Sequence, residues 1–507
     1  MKNIFAKPHS CIEPLPPLFV ADSNRKRQLK IIGLLALLLQ LFIAGCQSTG
    51  IGTSSPHPLQ RIEVDSTAGS DTGGRISLFL NLKRPDNNGV RMDVSKIEIL
   101  NDTIWLPITS HPLEIDAAEI GSGQIFLGRG VLPAGRYQRL RFTLQHASIG
   151  KEDGTRVFLA LDSLSLELPI AQTIDLKQGD SQSLFISWDE EASLRTPPLL
   201  KPDLTIIPNL KQMATDLAYA TCPEINTVYV MRTDKNWVCD SFGVTGNPTY
   251  LTTTSLLSEK RLYILTPAEA AIKVVELPEN IVIDSFHIPM TIKPSFMTLS
   301  SDGQWAYILD SQDDYLLRIN LSSGNMSNRV HLGYQPEYAA YIESHNLLAV
   351  GATISQSISL LDANTLAEVG EIPTTGSPKG LLAWNDMLYI SEGDANTITI
   401  YDLNSRTIDS RLNVGFYPHR LLQNNNRIYV SNRDSRSISI IQPGQLGIAR
   451  EIYLNGRPQE MTVEENSKWL YVGNRDIGGL SVIDATINRV SGEILFGAAP
   501  AGLAVLQ

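Results

Sequence analysis

Short runs of alternating or β-branched apolar residues recur through the C-terminal half of the chain, in groups of four. In one such group the runs are His419–Leu422, Arg427–Asn432, Ser437–Ile441 and Ile448–Leu454, separated by Asn, Gly, Ser and Asp. Alternation with a period of two, interrupted by turn-forming residues, predicts β-strands rather than helices. The C-terminal half is therefore predicted to repeat a four-stranded antiparallel unit.

A proline opens each of these units and sets their period. The anchor prolines are Pro248, Pro294, Pro336, Pro378, Pro418, Pro458 and Pro500, with spacings of 46, 42, 42, 40, 40 and 42 residues. Such a period, with four short strands per unit, is typical of a β-propeller, in which stacked sheets bury each other's faces. A glycine before the proline predicts a sharp turn with positive φ at the glycine.

The spacing of tyrosines predicts how the ring closes. A second-strand tyrosine precedes the next anchor by 29 residues at Tyr307, Tyr389, Tyr429 and Tyr471, and Tyr219 stands 29 residues before Pro248. Leu217–Thr221, Thr227–Arg232 and Trp237–Val244 are thus predicted to be strands two to four of a seventh blade, which Ala501–Gln507 completes. The predicted fold class is all-β, with an N-terminal β-sandwich followed by a seven-bladed β-propeller (213–507) with one-plus-three strand closure.

The second strands carry the motif of a known repeat family. Tyr429-Val430-Ser431-Asn432 and Tyr471-Val472-Gly473-Asn474, each followed by an alternating apolar run, resemble the YVTN family of propeller repeats. The resemblance spans 213–507, although the repeats around Pro248 and Pro336 lack the motif. It implies the fold and an exported, cell-surface or periplasmic protein. It does not imply a reaction, because some lactonases and lyases share the shape.

Residues 1–46 have the pattern of a lipoprotein signal peptide. Arg25-Lys26-Arg27 and Lys30 precede the apolar run Ile31–Ala44, which is too short for a membrane span. The run ends in Ile43-Ala44-Gly45-Cys46, which resembles a bacterial lipobox. The resemblance implies lipid attachment (acyl chains such as palmitate) at Cys46 and anchoring without a spanning helix. Gln47 rather than Asp favours the outer membrane, on its periplasmic or cell-surface side.

Two further segments precede the repeats. Residues 47–74 are rich in Ser, Thr and Gly and predict a flexible tether. Residues 75–208 show strand-like runs without a sustained helical period, which predicts the β-sandwich. The phrase Leu132-Pro133-Ala134-Gly135-Arg136-Tyr137 resembles a sandwich domain of unknown function found in bacterial lipoproteins.

Charge and motifs exclude several classes of function. The chain has a net charge of −11, of which residues 1–46 contribute +4 (six basic, two acidic), so the remainder carries −15. An acidic body argues against a nucleic-acid partner. There is no Cys-x-x-Cys-His for haem and no metal-binding or phosphate-binding motif in its required context. We expect no cofactor and no metal.

The residues that follow the anchors and the second strands are predicted to share one face around the channel mouth. The first set is Thr249, Ser295, Glu337, Lys379, His419, Gln459 and Ala501, with Arg420 and Glu460 one step further; the second is Asp310, Asp313, Glu392, Asp394, Asn432, Arg433, Asp434, Asn474, Arg475 and Asp476. Glu337, Lys379, His419, Arg420 and Glu460 are the candidate ligand-binding residues. Alternatively, such side chains only hold tight turns.

His419 has the chemistry of a general base or a metal ligand. A lone histidine nevertheless follows the anchor in many such repeats, and no matched His/Glu set accompanies it, so no catalytic residue is assigned. Cys222 and Cys239 are a candidate disulfide, because pairing is the default in an oxidising compartment. A third strand is predicted between them, so both the paired and the free state stay open, and their Cα separation would decide.

Two classes of function remain. The first is a membrane-anchored exported lipoprotein whose propeller face binds a protein or glycan partner. The second is an exported lactonase or lyase with its site at the channel mouth. Convergence of His419, Lys379 and Glu460 in a deep pocket would favour the enzyme, and a filled channel would favour the binding protein.

Overall fold

The computed structural model describes residues 73–84, 89–109, 111–151, 153–194, 198–207, 216–254, 260–445, 447–464 and 466–506. All of these belong to a single unit that spans Ile62–Gln507. The signal peptide predicted at 1–46 with its lipid site Cys46, nearly all of the tether predicted at 47–74, and residues 208–215 before the first repeat strand lie outside the described residues.

The N-terminal module comprises the first eleven strands and two single-turn helices. Its elements are β1 (Gly74–Leu82), β2 (Val90–Asn101), β3 (Ile104–Pro107), β4 (Leu113–Asp116), α1 (Ala117–Ile120), β5 (Gln124–Leu132), β6 (Gly135–Gly150), β7 (Arg156–Leu161), β8 (Ser165–Leu176), β9 (Ser181–Asp189), α2 (Glu190–Ser193), β10 (Leu199–Leu200) and β11 (Asp203–Ile207). One sheet has the order β11-β9-β1-β5 and the other β10-β7-β6-β2-β3, with β4 on β2 and β8 on β6. Apolar side chains from both sheets form one core around Trp188, Tyr137 and Phe142.

The repeat module comprises the other 28 strands. The first three are β12 (Leu217–Cys222), β13 (Thr227–Arg232) and β14 (Trp237–Gly243). Six groups of four follow: β15 (Tyr250–Thr254), β16 (Arg261–Thr266), β17 (Ala271–Glu276), β18 (Ile281–His287); β19 (Pro294–Leu299), β20 (Trp305–Asp310), β21 (Tyr315–Asn320), β22 (Met326–His331); β23 (Pro336–Ile342), β24 (Leu347–Ala352), β25 (Ser357–Asp362), β26 (Glu368–Pro373); β27 (Pro378–Trp384), β28 (Met387–Glu392), β29 (Thr397–Asp402), β30 (Thr407–Asn413); β31 (Pro418–Asn424), β32 (Arg427–Asn432), β33 (Ser437–Ile441), β34 (Ile448–Tyr453); β35 (Pro458–Val463), β36 (Trp469–Asn474), β37 (Gly479–Asp484), β38 (Arg489–Leu495). The last strand is β39 (Leu503–Val505).

These strands form four-stranded antiparallel sheets, which we call repeat sheets one to seven. Sheets one to six are the six consecutive groups from β15 to β38, and sheet seven has the order β39-β12-β13-β14. In sheet seven Ala504 of β39 pairs with Tyr219, where the tyrosine spacing places the closing strand. The prediction of an all-β chain built from repeated four-stranded sheets is confirmed.

The second-strand tyrosines link neighbouring sheets. The Tyr307 hydroxyl of sheet two donates to the Ala363 carbonyl of sheet three at 2.9 Å. The Tyr471 hydroxyl of sheet six donates to Asn236 of sheet seven at 2.6 Å, and Tyr219 of sheet seven reaches Asn280 of sheet one at 3.4 Å. A tyrosine places a large apolar ring in the core and a hydroxyl at its far end. The repeated tyrosine therefore packs inside one sheet and binds the next.

The anchor turns differ from the sequence prediction in one respect. Before Pro248, Gly246 has positive φ (89°), as predicted. Before Pro336 and Pro418, positive φ occurs instead at the residue just before the proline, at Gln335 (58°) and Tyr417 (55°), and not at the glycines that precede these residues. Those glycines are needed for space instead, because a Cβ on Gly415 would lie 2.7 Å from the side chain of Asn432. A close approach, rather than backbone freedom, thus accounts for the glycine in this turn.

Candidate functional site

The end of the strands at which the anchor turns lie is called here the anchor-turn face. First strands start there and second strands end there, since Pro418 pairs with Asn432 in sheet five. The turns between second and third strands share this face. The anchor turns and these second turns therefore present the candidate residues together, as the sequence predicts for a propeller-like fold.

The side chains two positions after the anchors contact one another between the first strands. Tyr250 and Phe296 have ring centroids 4.4 Å apart, and those of Phe296 and Tyr338 are 4.2 Å apart. The guanidinium of Arg420 lies 4.3 Å from the Tyr338 ring centroid, and its Nε donates to Glu460 at 3.0 Å. Three aromatic rings and an ion pair thus pack together where a channel would run.

Glycines occupy the equivalent position in two other sheets, Gly380 and Gly502. A Cβ on Gly502 would lie 2.8 Å from the carbonyl oxygen of Thr249, and a Cβ on Gly380 would collide with the carbonyl oxygen of His419. The first strands of neighbouring sheets therefore approach closely at these two points. The aromatic and charged side chains fill the space that remains.

The candidate charges one and two positions after the anchors are paired. Lys379 is only 7% exposed, and its Nζ donates to Glu337 at 2.8 Å. Arg420 pairs with Glu460 and also donates to the carbonyl oxygen of Lys379. Burial opposes the charge on Arg420, but Glu460 and Tyr338 outweigh it and raise the guanidinium pKa. Four of the five candidate residues thus form two buried or half-buried ion pairs.

His419, the fifth candidate, is neutral. Burial lowers the pKa of its imidazole well below the usual value, and the nearby charges of Arg420, Lys379 and Arg433 lower it further. Within the described part of the chain, its Nδ1 is buried and has no hydrogen-bond partner. Lys379 and Glu460 are each bound to another residue, so His419, Lys379 and Glu460 do not form a hydrogen-bonded set.

The acidic side chains after the second strands hold the anchor turns. Glu392 accepts hydrogen bonds from the amides of Thr375 at 2.7 Å and Gly376 at 2.8 Å, and it is fully buried. Asp310 does the same for the amide of Ile292 at 2.6 Å. These carboxylates accept local backbone hydrogen bonds, which is the role of turn-stabilising residues.

The remaining charges of the second turns are exposed and paired locally. Arg433 contacts Asp434 at 3.2 Å and lies over the ring of Tyr417 at 4.3 Å. Arg457 of an anchor turn binds Asp476 at 2.8 Å. Exposed pairs of this kind contribute little to stability. They leave the face with mixed charge.

The anchor-turn face also exposes large apolar side chains that are not among the residues predicted from the sequence. They are Met290 (63% exposed), Ile292 (56%), Tyr334 (64%), Ile354 (66%) and Phe416 (68%), and we call them the apolar rim. A signal was readable, because the position two residues before the anchor is Ile292, Tyr334 or Phe416 in three repeats and Gly or Ala in the other four. Ile354 lies next to Tyr334, since its amide donates to the Tyr334 carbonyl at 3.2 Å.

The candidate disulfide is not formed. Cys222 and Cys239 are free, buried thiols that lie in different apolar clusters. Strand β13 lies between their strands, and Cys222 pairs with Thr227 whereas Cys239 lies beside Val230, so the two are more than about 10 Å apart, beyond the ~7 Å that a disulfide can bridge. Burial raises the pKa of both thiols, that of Cys239 to about 12.

The described ranges hold no group of three or more His, Cys, Asp or Glu side chains arranged to bind a metal ion. No helix in the same ranges is both long and apolar enough to cross a membrane.

The chain matches no family model and no curated protein. Among solved structures, it is similar to a functionally unknown protein from Desulfotomaculum acetoxidans DSM 771, with 12% identity and a TM-score of 0.52 over 58% of this chain and 99% of that chain. The dihydro-heme d1 dehydrogenase NirN gives 10% identity and a TM-score of 0.48 over 59% and 76% of the two chains. Hydrazine synthase of Kuenenia stuttgartiensis gives 14% and 0.44 over 51% and 89%.

The repeated sheets define the class of this protein as an all-β chain with a propeller-like fold. At 12% identity the first of these likenesses concerns the fold alone, and the two weaker ones carry no argument about this chain.

Proposed function

We propose that this protein is an exported, membrane-anchored lipoprotein whose anchor-turn face binds a partner protein. In this proposal 75–208 form a β-sandwich, and 213–507 form a closed seven-bladed propeller of the YVTN type with one-plus-three closure. The pairing of β39 with β12 and the contacts between successive first strands support the closed ring. The common core of the two N-terminal sheets supports the sandwich.

The observation that carries the binding role is the apolar rim around a filled centre. Adjacent exposed apolar side chains often mark a binding surface, and Tyr334 and Ile354 lie side by side in this rim. Met290, Ile292 and Ile354 are aliphatic, and they offer a glycan no hydrogen bonds. Tyr334 and Phe416 are of the aromatic kind that is enriched at protein interfaces. A protein partner therefore fits the rim better than a glycan.

The rim is held in place before any partner arrives. The amide of Tyr334 donates to Ser355 at 2.7 Å, and the amide of Asp434 donates to the carbonyl oxygen of Phe416 at 3.1 Å. Each exposed aromatic residue is thus tied to the second turn of its own sheet. Fixing a binding residue in advance reduces the entropy lost on association.

The test compares a variant of the anchor-turn face with a variant of the opposite end of the strands. We expect the Tyr334→Ser/Phe416→Ser variant to weaken capture of a partner protein from surface extracts by at least about tenfold, as loss of interface aromatics does. Ile487→Ser is the matched control, because Ile487 is 57% exposed at the opposite end of the strands. The partner would be identified by mass spectrometry and rebound in purified form. The proposal would be contradicted if both variants lost partner capture equally, or if neither variant lost any.

The lipid anchor is tested separately. The lipobox-like Ile43-Ala44-Gly45-Cys46 supports acylation at Cys46 and a location at the outer membrane. We expect mass spectrometry of the mature protein to find an N-terminal, acylated Cys46, and Cys46→Ser to prevent processing and acylation. An unmodified Cys46 in mature protein would remove the anchor from the proposal without affecting the rim.

The alternative function is an exported lactonase or lyase. The unpartnered Nδ1 of His419 is the observation that favours it. A general base must be deprotonated at the working pH, and the lowered pKa of His419 meets that condition. If His419→Gln abolished a hydrolase activity found in a lactone screen, the enzyme would replace the binding protein as the proposed function.

A further inference from the structure

The N-terminal module docks on sheet seven of the repeat module through its β9 side. The hydroxyls of Ser183 and Ser241 share a hydrogen bond of 2.8 Å, and Thr227 donates to Ser181 at 3.0 Å. Toward sheet six the junction is closed, because Arg129 donates to the carbonyl oxygens of Phe496 and Gly497 at 3.2 and 3.1 Å. The junction has a different form on the side of sheet one.

An open cleft of about 1000 Å³ separates the N-terminal module from sheet one. Its apolar lining comes from both modules: Ile170, Ile174, Leu184, Ile206, Ile207, Phe242, Ile281 and Val282. Ligand pockets are commonly about 300–1,000 Å³ and often lie at junctions between domains. The cleft therefore has both the size and the position of a binding site.

The charged side chains that line the cleft are mostly acidic. Asp175, Asp180, Asp240 and Glu279 oppose Lys177, which gives four negative charges and one positive charge, a net of −3. Charge of one sign in a concave site raises the local concentration of the opposite charge. An occupant of this cleft should therefore be cationic as well as apolar.

Part of one wall of the cleft is the start of an edge strand, where Ile281 and Val282 of β18 line it. Among the described strands, β18 pairs with β17 alone. Its first three residues, Ile281, Val282 and Ile283, are 55%, 39% and 44% exposed and carry no charge. No other fourth strand exposes three large apolar residues in succession within the described ranges. The next residue of β18 is the exposed Asp284, and the pairing of β18 with β17 shifts register between Val282 and Asp284, so the apolar edge is limited to the start of the strand. An exposed apolar edge is a template for pairing with another chain.

We propose that this cleft binds an extended peptide segment of a partner protein, with basic and apolar residues in alternation. The segment adds to β18 as a fifth strand, so backbone hydrogen bonds provide affinity. Because successive side chains of a strand point to opposite faces, apolar residues contact Ile206 and Phe242 while basic residues approach Asp175 and Glu279. The site is separate from the apolar rim and does not depend on it.

The test uses a fluorescent probe of sequence Ac-KIRVKIR-amide and the full protein purified in detergent. We expect saturable binding at about 150 mM salt, where long-range charge effects are largely screened. Asp175→Asn/Glu279→Gln should weaken the binding by about tenfold or more. Glu368→Gln/Glu371→Gln is the matched control, because it removes the same charge from exposed positions of β26 and should leave binding unchanged.

Two further measurements, one with a modified peptide and one with a protein variant, separate strand addition from simple charge attraction. The same peptide with N-methyl groups on alternate residues should bind at least about tenfold more weakly, because it cannot pair with a strand edge. Ile281→Lys should have a similar effect on the unmodified peptide, since it places a cation on the apolar edge. Equal binding of the N-methylated peptide, equal losses in the β26 control, or the absence of saturable binding would each overturn the proposal.

Discussion

Four of the five candidate residues at the anchor-turn face form ion pairs, Lys379 with Glu337 and Arg420 with Glu460, and His419 stands apart from them. Its imidazole lies among the cations Lys379, Arg420 and Arg433, and its Nδ1 is buried without a partner. Protonation would add a positive charge to a site that already holds several. The histidine is therefore kept neutral in the folded protein but titrates normally when the chain unfolds.

This difference predicts a dependence of stability on pH. A histidine whose pKa is lowered on folding contributes full stability above its unfolded pKa of about 6.5 and loses it as pH falls toward the folded pKa. Between these values we expect the wild type to lose up to about 1.4 kcal/mol per pH unit relative to His419→Gln. Urea denaturation of both proteins at pH 7, 6 and 5 measures this. If the free energy of unfolding fell equally with pH in the two proteins, His419 would not be held neutral by folding.

At the same scale, the sequence located the candidate residues but not their partners. Glu337, Lys379, Arg420 and Glu460 are found on the predicted face, because the anchor prolines fix the register of every first strand. The pairing of Lys379 with Glu337 and of Arg420 with Glu460 depends on how neighbouring sheets approach. A repeat spacing carries no information on that approach.

Among the strands, the first strand of each sheet determines what the centre of the repeat module contains. Bulky residues two positions after the anchor, such as Tyr250 and Phe296, contact each other, whereas Gly380 lets its strand lie against the next one. Strand existence and order were readable from period and alternation. The filling of the centre was not, because it depends on side chains contributed by several different sheets.

A matched pair of glycine substitutions tests this close approach. Gly380→Ala would press a methyl group onto the carbonyl oxygen of His419, and we expect it to cost about 1–3 kcal/mol of unfolding free energy, as overpacking does. Gly492→Ala in β38 is the control, because a Cβ there meets nothing within 4 Å. Thermal or urea unfolding of the two variants gives the comparison. If both variants behaved alike, close packing at Gly380 would not explain the glycine.

For the molecule as a whole, one strand joins the two modules. All nine residues of β1 are buried, because one face packs in the N-terminal core and the other meets the repeat module. Phe79 stacks on Phe185 with centroids 5.7 Å apart and meets Tyr229 edge-on at 6.1 Å, while Ser77 binds the Tyr229 hydroxyl. A strand buried on both sides was visible in the sequence only as an apolar run, which did not reveal its second partner.

This shared packing predicts that the modules are energetically coupled. Phe79→Ala should destabilise the protein by about 3–5 kcal/mol and increase amide hydrogen exchange in both modules, since its ring contacts both. Phe142→Ala, in the core of the N-terminal module alone, is the control and should increase exchange there without a matching effect in β12 and β13. An effect of Phe79→Ala confined to β1–β11 would mean that the modules are independent.

The bond between Thr221 and Gly502 joins residues that are 281 positions apart, with the Gly502 amide donating to the Thr221 hydroxyl at 2.8 Å. A growing polypeptide that has not reached Gly502 presents β12 with a bare edge, however many later sheets have already formed. Contacts this distant in sequence slow folding, because a long loop must close before they can form. Closure of the repeat module is thereby deferred until the chain has been extended by 281 residues beyond Thr221, so sheet seven, whose first three strands come earliest in the module, is the last repeat sheet to be completed.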